Sequence, residues 1–149
     1  MTGWRLGYGI WPAGLVDAAI RMAVNSYSCV NAAAQYAGLA ALAGPQAPVD
    51  EMVASFEVRR RLAVEHLNAI PGLSCVMPGG AFYAFPNITG TGLSAKELER
   101  ALLERAGVAT IAGSSFGSHG EGYLRVSYAN SRANIEAAMA RIRDFLAQL

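Results

Sequence analysis

Gly120-Glu121-Gly122-Tyr123-Leu124-Arg125-Val126-Ser127-Tyr128-Ala129 is a strand preceded by a glycine turn. From Tyr123 to Tyr128 the residues alternate, and in an extended chain successive side chains point to opposite faces. Leu124, Val126 and Tyr128 share one face and read as core. Tyr123, Arg125 and Ser127 share the other, where an arginine stands between two hydroxyl-bearing side chains. A planar guanidinium in that setting matches a carboxylate; an ordinary solvated sheet face is the plainer alternative. Upstream, Gly113 to Gly122 is a loop with four glycines in ten residues. Its Gly113-Ser114-Ser115-Phe116-Gly117 segment offers backbone N–H groups and hydroxyls to an anion, though no lysine follows it as in a nucleotide-binding loop. Downstream, Ser131 caps a closing helix with Ile135, Met139, Ile142, Leu146 and Leu149 as its apolar stripe.

Working toward the N-terminus, Val108 to Ile111 reads as a strand. Ser94 followed by Glu97 is a capping box opening a helix that ends at Gly107. Leu73 to Met77 and Ala81 to Phe85 read as short strands parted by Pro78-Gly79-Gly80. Val49, Met52, Val53, Phe56, Arg60, Ala63, Leu67 and Ile70 recur at helical spacing, opened by Asp50-Glu51 and stopped by Pro71-Gly72. Gly44-Pro45-Gln46-Ala47-Pro48 is the clearest break in the chain. Before it, Pro12 to Leu42 is apolar nearly all round, which predicts helices buried on several sides, divided near Asn25, Ser26 and Ser28. Trp4 to Ile10 reads as a strand carrying Arg5. A guanidinium inside an apolar run calls for an anion, because burying it unpaired is costly; a salt bridge at a strand edge would also serve.

The 149 residues suffice for one domain, or for one small domain and part of another. Hydrophobic residues make up 53% and charged residues 15%, which suggests surface that expects a neighbour; a simple preference for Ala and Gly is the alternative. A net charge of +1 argues against a nucleic-acid face, and Arg59-Arg60-Arg61 reads as a solvated helix face. Cys29 and Cys75 form no CxxC pattern and read as free, buried thiols in a reducing compartment. No signal peptide and no apolar run long enough to span a bilayer are found, so a cytoplasmic location is expected. His66 sits in a helix beside Glu65 and reads as a surface residue, and His119 lies in the glycine loop without a cysteine or second histidine nearby, so neither predicts a metal site.

The opening Met1-Thr2-Gly3-Trp4-Arg5-Leu6-Gly7-Tyr8 resembles the segment that follows the cofactor lysine in fold-type I aminotransferases of the aspartate aminotransferase group. Asn25-Ser26-Tyr27-Ser28-Cys29-Val30-Asn31 with Gln35, then Pro78-Gly79-Gly80-Ala81-Phe82-Tyr83, then the Gly113–Gly117 loop with the Gly120–Ala129 strand, resemble later segments of that family in order. The resemblance covers essentially the whole chain. It implies an α/β, PLP-dependent transferase-like fold, of which this sequence is the C-terminal part. Residues 1–47 would be the end of the large cofactor-binding domain, and residues 48–149 the small α+β domain. It further implies pyridoxal 5'-phosphate as cofactor, with Arg5 on its phosphate and Arg125 on the substrate α-carboxylate. The substrates would be an amino acid and a 2-oxo acid, and the assembly a homodimer or a complex with a complementing N-terminal portion.

In that family the cofactor-bearing lysine sits a few residues ahead of the Met-Thr-Gly-Trp-Arg run. Here Met1 occupies the run's methionine, and the sole lysine, Lys96, lies in the helix opened by Ser94. No catalytic residue is therefore assigned within 1–149, and weak cofactor affinity and no transamination are expected of this chain by itself. A lyase or decarboxylase relative of the same fold, and a non-enzymatic binding or assembly protein, are the competing readings.

Overall fold

The computed structural model describes residues 1–149, apart from the side chain of Thr2. The chain divides into two compact units, Met1–Asp50 and Glu51–Leu149.

In the first unit, a 3-10 turn at Thr2–Trp4 precedes irregular chain, in place of the expected strand from Trp4 to Ile10. With no neighbouring strand to pair with, Gly7 and Gly9 leave this segment nothing to hold it extended. Two helices follow, α1 (Val16–Tyr27) and α2 (Ala32–Ala43), divided where Asn25, Ser26 and Ser28 predict. Ser26 Oγ bonds back to the Met22 carbonyl at 2.9 Å, which weakens helix continuation. Asn31 then caps α2, its side-chain oxygen accepting the Ala33 N–H at 2.8 Å. Gly38 lies so close to Leu6 that a side chain there would collide with it. The expected burial of these helices is not found within this chain. No residue of α1 is buried, and in α2 only Ala34 and Gly38 are. Ile20, Met22, Leu39 and Leu42 stand more than half exposed. Among the described residues no helix is long and apolar enough to cross a membrane.

The second unit is built on α3 (Ala47–Asn68), whose first turn belongs to the first unit. Only the C-terminal half of its apolar stripe reaches the core: Ala63 and Leu67 are buried, with Ile70 just beyond, whereas Val49, Met52 and Val53 are exposed. Three short strands make an antiparallel sheet, β1 (Tyr83–Ala84), β2 (Ile111–Ala112) and β3 (Leu124–Ser127), in the order β1-β3-β2. Tyr83 pairs with Ser127 and Ile111 with Arg125. Leu73 to Met77 is not a strand; Ser74 alone bridges to Asn87, and Val76 is 89% exposed. Between the strands lies α4 (Ala95–Ala101), opened by the predicted capping box: Ser94 Oγ accepts the Glu97 N–H and the Glu97 carboxylate reaches the Ser94 N–H. A π turn at Leu102–Ala106 carries it to Gly107, whose φ of 64° suits a residue without Cβ. The last helix is α5 (Arg132–Leu146), capped by Ser131.

Leu124 and Val126 from β3, with Tyr128 just after it, join Leu67, Leu98, Leu102, Ile135, Met139 and Ile142 in one buried cluster. The helices thus cover the sheet face that the alternation of β3 assigns to the core. Cys75 is part of this cluster, and burial pushes its thiol up. Cys29, by contrast, is exposed rather than buried.

The glycine loop before β3 folds upon itself. Gly113 N–H donates to the Tyr123 carbonyl at 2.8 Å, and a Cβ on Gly120 would collide with the Gly113 carbonyl. Gly120→Ala is therefore expected to cost about 1–3 kcal/mol through overpacking, whereas Gly79→Ala, which meets nothing within 4 Å, should be close to neutral. Urea unfolding of the two variants checks the contrast.

Candidate functional site

Arg125 lies in the middle of β3 on the face away from the core, half-buried. The register that pairs Tyr83 with Ser127 places Tyr83 on this same face, two residues along. The Arg125 guanidinium carbon stands 4.4 Å from the centre of the Tyr83 ring and 4.5 Å from that of Phe116. Phe116 comes from the loop between β2 and β3. Two ring faces thus hold the cation, each an attraction of about 0.5–1 kcal/mol at a partly exposed site. The ion pairs among the described residues are Arg60–Glu57, Arg61–Glu57, Lys96–Glu99 and Arg143–Asp144. Arg125 is in none of them, so its N–H fork has no protein carboxylate to satisfy it.

The loop that supplies Phe116 is tied to the first turn of α4. Lys96 Nζ donates to Ser115 Oγ at 3.0 Å and to Glu99 Oε2 at 2.9 Å. The Glu121 carboxylate accepts the Ala95 N–H at 2.9 Å, and that bond is the main reason its pKa is lowered. The glycine-serine loop therefore has a structural use: its backbone closes on itself and presents Phe116 to Arg125.

Arg5 stands in the other unit and is exposed rather than buried in an apolar strand. It ends the Thr2–Trp4 turn at φ 52°, in the left-handed region, where a residue with Cβ stands only under constraint. It takes part in none of the ion pairs named above. An open groove of about 660 Å³ runs beside it, lined among others by Trp4, Tyr8, Tyr27, Cys29 and Asn31. Ser28, within the second hydroxyl-rich segment, also has positive φ, at 63°.

His119 is exposed and His66 half-buried, and no group of three or more His, Cys, Asp or Glu among the described residues could hold a metal. The three consecutive arginines are not one solvated face. Arg59 Nη1 donates to the Asn130 carbonyl at 3.1 Å and its guanidinium lies over Phe56. Arg60 Nη1 reaches the Pro78 carbonyl at 2.9 Å. Sequence reasoning left Phe116 and Arg60 without roles. Helical spacing does place Arg60 on the apolar stripe of α3, a signal that this arginine turns inward; nothing local marks Phe116.

Residues 1–142 match the family model described as aminotransferase class I and II. Among curated relatives, the aspartate aminotransferase of Geobacillus stearothermophilus is 42% identical over 151 residues, covering 98% of this chain and 38% of that protein. Among solved structures, the aromatic aminotransferase of Pyrococcus horikoshii superposes with a TM-score of 0.91 at 39% identity, over 99% of this chain and 40% of that one. The Thermus thermophilus aspartate aminotransferase with maleate gives 0.86 at 34% identity, over 97% and 38%. The chain belongs to the class I and II aminotransferase family, and it has the fold of the C-terminal part of these fold-type I enzymes. It spans about 38% of the length of the curated relatives it matches.

Glu97 and Glu121 both have lowered pKa values, Glu97 chiefly through Ser94 and Glu121 through the Ala95 N–H. A carboxylate whose folded pKa is depressed contributes stability that is complete above the ordinary glutamate value and is lost as pH falls through the folded one. The melting temperature should accordingly fall on acidification below about pH 4.3, and Glu121→Gln should flatten part of that fall. Thermal melts from neutral to acidic pH read both effects.

Proposed function

We propose that this chain supplies the phosphate-binding and carboxylate-binding arginines of a pyridoxal-phosphate-dependent aminotransferase that moves an amino group between an amino acid and a 2-oxo acid. The observation that carries the reading is Arg125, a guanidinium set over the rings of Tyr83 and Phe116 and paired with no protein carboxylate. Held by two rings and by no carboxylate, the fork has N–H groups left for a ligand, and a carboxylate binds such a fork with two parallel hydrogen bonds. Arg125 would fix the substrate through that group, so that its α-carbon is presented in one orientation. The maleate named with the Thermus structure is a dicarboxylate of the same chemistry.

The residues of the first unit fit a phosphate. Arg5 has an exposed guanidinium outside every ion pair named, beside an open groove, and it would hold the cofactor through its phosphate. When bound, pyridoxal phosphate supplies the electron sink for chemistry at the substrate α-carbon. Lys96 is not assigned to it, because its ammonium is already engaged by Glu99 and Ser115.

In this reading residues 1–47 close the large cofactor-binding domain and 48–149 form the small domain. Apolar side chains stand exposed along α1 and α2, and exposed apolar surface of this kind marks interaction sites. They support assembly, as a homodimer or on a complementary large-domain surface.

Two binding experiments test the two arginines. Maleate titrated into the 149-residue chain should bind, and Arg125→Ala should weaken it about 10-fold or more, the worth of a charge-assisted contact. Arg125→Lys should recover only part, since an ammonium cannot present a fork. Pyridoxal phosphate should bind weakly and lose about the same factor in Arg5→Ala. Equal maleate affinity in wild type and Arg125→Ala would remove the carboxylate assignment, and equal cofactor affinity in Arg5→Ala the phosphate assignment.

A further inference from the structure

The loop from Pro78 to Phe82 is held at three of its carbonyls by groups from outside it. Arg60 on α3 donates Nη1–H to the Pro78 carbonyl at 2.9 Å. The Tyr128 hydroxyl donates to the Ala81 carbonyl at 3.0 Å, and the Tyr128 N–H donates to the Phe82 carbonyl at 2.9 Å. Within this clamp Ala81 has φ 59°, a conformation disfavoured for any residue with Cβ. Such a residue keeps that conformation only when its surroundings impose it. Two residues further on, the Tyr83 ring covers Arg125 at 4.4 Å.

These placements form a chain of cause. Tyr128 is 1% exposed and lies on the core face of the strand, opposite Arg125, so it cannot touch a ligand held there. Its burial pushes the hydroxyl up, which keeps it a donor. If Ala81 relaxed to negative φ, its carbonyl would leave the Tyr128 hydroxyl and the chain would enter β1 on a different path. β1 is only two residues long, so its ladder alone cannot restore the position of Tyr83. Phe82 packs at a tilt against Tyr83 with centroids 4.4 Å apart and would shift with it.

We propose that Tyr128 and Arg60 are positioning residues for Arg125: they hold Ala81 in its left-handed conformation and so set the Tyr83 ring against the guanidinium. The ligand-binding consequence rests on the carboxylate reading of Arg125; the geometric consequence does not. Glycine takes positive φ without penalty, which yields a suppressor. If Tyr128 acts by imposing φ on Ala81, Ala81→Gly should compensate for its loss. If Tyr128 is merely a core residue, glycine at 81 should not help.

The test uses the full chain and two readouts. The first is the NMR resonance of Arg125 Nε–Hε, assigned by its loss in Arg125→Lys, which senses the two ring faces without any ligand. The second is affinity for maleate. In Tyr128→Phe the resonance should move toward its position in Tyr83→Leu, and maleate affinity should fall about 3- to 10-fold, the effect of one hydrogen bond. Ala81→Gly alone should leave both readouts near wild type, and Tyr128→Phe/Ala81→Gly should recover most of the lost affinity and the resonance position. A resonance unmoved in Tyr128→Phe, or a double variant no better than the single one, overturns the proposal. Should Tyr128→Phe fail to fold, Arg60→Met with and without Ala81→Gly makes the same comparison and the same outcomes decide. If the wild-type chain binds no maleate, the carboxylate reading falls and the resonance alone decides the positioning role.

Discussion

Everything in the second unit is organised by the alternation of one short strand. β3 is the middle strand, paired on both sides, and its residues, with the one flanking it at each end, divide between two environments. Leu124, Val126 and Tyr128 enter the cluster formed by α3, α4 and α5. Tyr123, Arg125 and Ser127 remain on the other side. A slip of one residue would put Arg125 into the core and Leu124 and Val126 into solvent, so burial of the apolar set fixes the arginine's position. The same constraint orders β1 and β2, whose side chains on the Arg125 face follow from their register with it. A strong hydrophobic demand on one face thereby builds a polar site on the other.

That constraint explains why the second unit was legible and the first less so. The capping box at Ser94–Glu97, the cap at Ser131 and the stripe of Ile135, Met139 and Ile142 are local signals, and each appears where it is written. Arg125 was legible because period two needs only its neighbours in sequence. Its aromatic partners were not, since Phe116 is nine residues away in a loop and meets Arg125 only once the loop has closed through the Gly113–Gly120 approach. Leu73 to Met77 failed as a strand for the opposite reason: its composition suits a sheet, yet only Ser74 finds a partner.

In the first unit the pattern of residues and the structure disagree in an informative way. Helices α1 and α2 form and divide where the polar residues predict, so local propensity was read correctly. The burial that their composition implies is absent within the chain. An apolar residue gains stability only against another surface, and composition reports that a surface is needed without saying which molecule provides it. The irregular run after Trp4 has the same origin: a strand is a relation between segments, and within this unit no other strand is present to accept it.

The positive φ values gather these threads. Among the described residues the non-glycine residues in this conformation are Arg5, Ser28 and Ala81, and each lies in a segment that resembles the aminotransferase family. Each is unfavourable locally, so each must be held by something else. For Ala81 the holding groups are visible: the Tyr128 hydroxyl at its carbonyl and Arg60 three residues before. For Arg5 and Ser28 the structure shows no comparable clamp among the described residues; the Ser28 side chain is in no hydrogen bond named here, and Arg5 stands beside an open groove. The difference follows from the packing of the two units. Where a core exists, it spends part of its stability on an unfavourable backbone angle that aims Tyr83 at Arg125. Where the helices stand uncovered, the same kind of angle at Arg5 has no core beneath it to impose it.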